Sequence, residues 1–162
     1  MRGPLVLAAL STVPACDAGA PPRTDEVAAW AKDARYRATR SGCAGIEERY
    51  FGAIGSTCWF ARSTVEQSPG SRMFPRVEIT IARYTSIAAA QARIATFRFI
   101  PPELAGEAEK TYPLRAGFRL GSQVVIVTTD AYAFEADAER VARQLARATG
   151  GTELTCWQTC RG

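Results

Sequence analysis

Histidine is absent from the 162 residues. Its absence removes the commonest general base, the commonest metal ligand and the usual partner of a nucleophilic serine or cysteine. Lysine is almost absent: Lys32 and Lys110 are the only ones, and neither sits in a context that suggests a serine–lysine nucleophile. A long hydrophobic run is also missing. The most apolar stretch, Leu5–Leu10, is too short for the ~30 Å hydrocarbon core of a bilayer. What remains is an ordinary globular composition, 47% hydrophobic and 22% charged, with a mean hydropathy of -0.10. Those values exclude a disordered chain and describe one domain with a sizeable core.

The charge balance is 20 basic against 16 acidic residues, a net +4. Arginines are spread along the chain among acids, as in Glu135, Asp137, Glu139, Arg140 and Arg143. A nucleic-acid binder concentrates its charge on a stripe with aromatics between. The nearest approach to this is Arg35, Arg37 and Arg40 beside Tyr36, which reads as the solvated face of a helix, so no nucleic-acid partner is expected.

The N-terminal residues have the three-part layout of a secretory signal: Arg2, the apolar Leu5–Leu10, then small residues up to Val13-Pro14-Ala15. The end of this segment resembles a bacterial lipobox, matched by Val13, Ala15 and Cys16 and departing from it at Pro14. The resemblance implies export, lipid attachment at Cys16 and a place at the bacterial cell envelope. Residues 1–15 are then a signal peptide, the Pro- and Gly-rich residues 16–23 a tether, and residues 24–162 a single domain.

Setting Cys16 aside leaves Cys43, Cys58, Cys156 and Cys160, an even set that suits disulfides in an oxidising compartment. The pairing stays open between a local solution, Cys43–Cys58 with Cys156–Cys160, and bridges that staple the tail to the first half of the domain. No metal is expected, because the cysteines lack the paired short knuckles of a zinc site, and no cofactor is implied.

Hydrophobic periodicity predicts a helix over 24–40, with Val27, Trp30, Ala34 and Ala38 on one side and Gly42 ending it. Residues 43–56 read as irregular. Strands follow at Thr57–Thr64 and Arg76–Tyr84, joined by a turn at Ser68-Pro69-Gly70-Ser71, and Ser86 caps a second helix. Residues 114–120 and Gln123–Thr129 form a hairpin about Gly121-Ser122, the second strand being central. Asp130 caps a last helix that carries Phe134, Ala138, Val141 and Leu145 on one side and ends at Gly150-Gly151. The expected class is α+β, about four antiparallel strands in the order α-β-β-α-β-β-α, with helices covering one face. That outline is similar to small lipid-anchored extracytoplasmic α+β domains of bacteria, a likeness of element order that carries no functional residue.

Catalytic candidates are few. Glu47 and Glu48 are adjacent and should point apart, Asp130 has the position of a helix cap, and Gly52–Ser56 lacks the lysine of a phosphate-binding loop. Trp59 and Trp157 stand beside cysteines and should shield disulfides. No catalytic residue is assigned. The expected function is an exported, membrane-tethered module that binds an envelope protein or ligand. The alternatives are a secreted hydrolase using Asp130, Glu47 and Glu48, or a released disulfide-stapled inhibitor or effector.

Overall fold

Six strands pair into one antiparallel sheet in a computed structural model that describes residues 24–106, 115–129, 135–157 and 160. The strands are β1 (Tyr36–Ser41), β2 (Gly55–Ser63), β3 (Arg76–Arg83), β4 (Arg115–Leu120), β5 (Gln123–Thr128) and β6 (Thr152–Cys156). Their order across the sheet is β1-β2-β3-β5-β4-β6. The helices among the described residues are α1 (Thr24–Asp33), α2 (Ile46–Phe51), α3 (Ile87–Ala95) and α4 (Glu135–Thr149). No described helix is long and apolar enough to cross a membrane.

The α+β class and the two hairpins are as expected. β2 pairs with β3, β4 pairs with β5 through the Gly121-Ser122 turn, and β5 is central, between β3 and β4. Ser86 caps α3 by accepting from the Ala89 N–H at 3.1 Å. The count of about four strands and the element order need correction, because β1, α2 and β6 were not foreseen.

The expected helix over 24–40 divides at Arg35, whose φ of 61° turns the chain out of α1. Ala34 and Ala38 are spaced like one helical stripe, but Ala38 also lies two residues from Tyr36. That period-2 alternation wins because it lays Tyr36–Ser41 along the edge of β2. Helix α2 sits where irregular chain was expected, bracketed by Gly45 and Gly52 in left-handed conformation, φ 71° and 72°. Strand β6 continues from Gly150, φ 75°, and pairs with β4.

Helices lie on both faces of the sheet, not one. Against the first face, α1 and α4 pack Val27, Trp30, Val141 and Leu145 onto Trp59, Val77, Ile79, Phe118, Val125 and Val127. This is the core that the stripe Ala138, Val141, Leu145 foretold; Phe134 lies outside the described residues. On the second face, α3 and the turn after it set Ala90 and Phe97 over Ala82, Tyr84, Val124 and Ile126. The cause is β5, whose Val124–Val127 are buried on both sides and therefore need two covers.

Phe97 reaches the sheet because β4 carries Gly117 there. A Cβ at Gly117 would stand 2.7 Å from the Phe97 ring and 2.9 Å from the Val125 carbonyl oxygen. Gly117→Ala should therefore cost about 1–3 kcal/mol by overpacking the second face. Leu145→Ala, on the first, should cost about 2–5 kcal/mol. Arg147→Ala, exposed on α4, should stay within about 0.5 kcal/mol. Denaturant melts check all three; equal costs for Leu145→Ala and Arg147→Ala would contradict this packing.

Candidate functional site

Where α3 leaves the second face uncovered, the sheet carries polar residues. Register sets the rows: Phe60, Glu78, Thr128 and Arg115 stand opposite one another across β2, β3, β5 and β4. Cys58 and Thr80 form the next row. Over them run the β1–α2 loop and α2, and between roof and floor lies a cavity of about 460 Å³. That volume falls within the range of small-ligand pockets.

The roof is fixed at two points. The Cys43–Cys58 disulfide bonds the β1–α2 loop to the floor strand, with Cα atoms 5.4 Å apart. The second point is Glu47, only 3% exposed, on α2. Its carboxylate accepts from Arg93 Nε at 2.8 Å and Nη2 at 2.9 Å, and from the Tyr84 hydroxyl at 2.8 Å. Arg115 Nη2 lies 3.7 Å away. Arg93 is as buried as its partner, donates to the Thr96 carbonyl at 3.2 Å, and lies 3.6 Å above the Phe51 ring.

Burial pushes the Glu47 carboxyl up, but the hydrogen bonds and charge of Arg93, the charge of Arg115 and the Tyr84 hydroxyl together hold it below the ordinary carboxylate range. The Tyr84 hydroxyl is pushed up by burial and by the Glu47 charge it faces. Glu47 is thus an anchor held in one protonation state around neutrality.

Glu48 is placed differently. It lines the same cavity as Glu47. Its Oε2 and the Oγ of Ser56, another lining residue, are buried without a hydrogen-bond partner. Unpaired buried polar atoms are uncommon, and each costs about 1–3 kcal/mol unless something donates to it.

The adjacent glutamates thus line one cavity, while the carboxylate of Glu47 is turned to Arg93 and Tyr84 and Glu48 Oε2 has no such partner. Asp130 and Cys16 lie outside the described residues. The four remaining cysteines form the local pairs, Cys43–Cys58 and Cys156–Cys160. Trp59 packs into the first core on the face opposite Cys58, so it does not shield that disulfide, because neighbours on a strand point to opposite sides. Gly52 ends α2 with φ 72°, and Gly55 begins β2 opposite Arg83. Among the described residues, possible metal ligands gather at Glu139, Cys156 and Cys160, within 4.8 Å, but the two sulfurs are bonded to each other and offer no thiolate.

Tyr84, Arg93 and Arg115 were missed. Arg93 carried a signal, since it lies three residues after Ala90 and four before Phe97, inside an apolar stripe. A charge on that stripe calls for a buried partner.

Compared with known proteins, the chain matches no family model, no curated protein and no solved structure.

Because the folded Glu47 pKa is depressed, the anchor's contribution is complete above the ordinary value of 4.5 and is lost as pH falls through the folded value. Glu47→Ala should cost about 3–5 kcal/mol at neutral pH by stranding Arg93. Melts of wild type and Glu47→Ala should converge on acidification. A gap that stays constant down to acid pH would contradict the anchor.

Proposed function

We propose that the chain is an exported, lipid-tethered binding module whose cleft between α2 and the second sheet face takes a small ligand rich in hydrogen-bond donors. The observation that carries this reading is the polar lining of one cavity, where Glu48 and Ser56 each keep a buried oxygen, Oε2 and Oγ, without a hydrogen-bond partner. Glu78 adds a further carboxylate, Thr80 and Thr128 add hydroxyls, and Phe60 adds an aromatic wall. Acceptors and carboxylates in one cleft suit a small aliphatic amine better than an anion, since Arg115 is already beside Glu47.

The hydrolase reading gains from Glu47 and Glu48 sharing a cavity and loses more from the state of Glu47. An acid–base pair needs one carboxyl that exchanges a proton near the working pH, and Glu47 is held ionised by Arg93 and Tyr84. Export and anchoring rest on the N-terminal resemblance at Val13, Ala15 and Cys16. The two disulfides suit an oxidising compartment.

Two measurements separate the parts of this proposal. Metabolic labelling with palmitate should mark the protein, and Cys16→Ser should abolish both the label and membrane retention. A soluble, unlabelled wild-type protein would contradict the anchor alone. For the cleft, putrescine should raise the melting temperature saturably while butanediol, of the same length but uncharged, should raise it far less. Glu48→Gln should abolish the putrescine effect. An equal response to both compounds, or a putrescine response that survives Glu48→Gln, would contradict the cleft.

A further inference from the structure

The same sheet face carries another polar row that the cleft does not use. Arg37 of β1 stands opposite Arg62 of β2, and Arg62 stands opposite Arg76 of β3. All three residues are exposed. Like charges directly opposite one another on neighbouring strands, as at Arg37 and Arg62, destabilise a sheet unless something anionic lies against them.

The surroundings deepen the basic character. Arg35 lies at the start of β1, its carbonyl accepting from Thr64 N–H at 2.8 Å, and exposed Arg72 lies in the β2–β3 loop. The acids nearby are Glu66, whose Oε2 accepts from Gly70 N–H at 2.8 Å, and Glu78 at the border with the cleft.

An apolar side chain stands among these arginines: Met73 is 47% exposed, as is Val65 elsewhere in the same loop. Met73 and Phe74 border one hollow with Phe60, Arg62 and Arg76. Their exposure is built in, because the loop is braced by hydrogen bonds from Ser63 N–H to the Pro75 carbonyl at 2.7 Å and from Gln67 N–H to the Met73 carbonyl at 2.8 Å.

We propose that the face formed by Arg37, Arg62 and Met73 docks on an anionic phospholipid surface. Guanidinium groups suit phosphate oxygens in a forked geometry, and neighbouring strands repeat at about 4.8 Å, so the row meets several headgroups at once. Met73 extends beside it to the boundary between headgroups and acyl chains. Charge complementarity selects an anionic partner. The aliphatic character of Met73 selects lipid over nucleic acid, which would call for open aromatic faces. Phe74, which borders the hollow, already has the Arg62 guanidinium 5.0 Å over its ring.

This inference is independent of the cleft's ligand and of lipidation at Cys16. The full chain carrying Cys16→Ser should float with vesicles of phosphatidylcholine and phosphatidylglycerol more than with phosphatidylcholine alone, and added salt should erase the difference. The apolar N-terminal run is common to all variants, so the readout is the gain from phosphatidylglycerol. Arg37→Gln and Arg62→Gln should each weaken that gain roughly fivefold. Met73→Ser should weaken it in part. Arg147→Gln, exposed on α4, should leave it unchanged, and thermal melts should show all variants folded.

Equal flotation with both vesicle types, or an Arg147→Gln loss matching that of Arg62→Gln, would overturn the proposal. Retention of a single-stranded oligonucleotide in preference to phosphatidylglycerol vesicles would overturn it in favour of nucleic acid. Displacement by inorganic phosphate beyond the effect of its ionic strength would replace the surface with a discrete phosphate site.

Discussion

The bidentate pair between Glu47 and Arg93 is the contact on which the second face of the sheet depends. It joins α2 to α3, and through Tyr84 it fastens both to β3, with Arg115 of β4 close by. Taking two charges out of water costs several kcal/mol per ion, so such a pair persists only where its remaining bonding capacity is used. Here both carboxylate oxygens accept from Arg93, and the guanidinium is stacked on Phe51 and bonded to the Thr96 carbonyl. The pair decides where α2 sits. With the Cys43–Cys58 bridge, it sets the height of the roof over Thr80 and Thr128, and hence the shape of the cleft.

The two faces of the sheet are built on different terms. The first is a continuous apolar core under α1 and α4. The second divides along the strand direction into Phe97 and Ala90 over Val124 and Ile126, then the polar cleft, then the arginine row. A strand has one residue per face every second position, so this division needs a change of character along β2 and β3. Cys58, Phe60 and Arg62, and Ala82, Thr80, Glu78 and Arg76, supply it. Stability thus comes chiefly from the first side, while the second carries the polar and charged groups.

Much of this architecture was legible residue by residue. Alternation at Val77, Ile79 and Ile81, the Gly121-Ser122 turn, the Ser86 cap and the Ala138, Val141, Leu145 stripe each specify one element, and each element is there. Short or ambiguous stretches were not legible. Ala34 and Ala38 fit a helix as well as a strand, and α2 spans a single short run between glycines. Strand β6 has few residues, and its pairing with β4 is set by where α4 returns the chain. The site was least legible, because Glu47 and Arg93 are distant in sequence and meet only through tertiary packing. That packing also turned Arg37 from an apparent helix face into a row with Arg62 and Arg76.

The central claim is that Glu47 and Arg93 act as one unit. A double-mutant cycle on Glu47→Ala and Arg93→Ala, read by denaturant melts at neutral pH, tests it most directly. Each single variant strands the other charge, so the double variant should be destabilised by less than the sum of the singles, with a coupling of about 2 kcal/mol or more. Costs that add without coupling would mean that the two side chains act separately and that the cleft is shaped by something else.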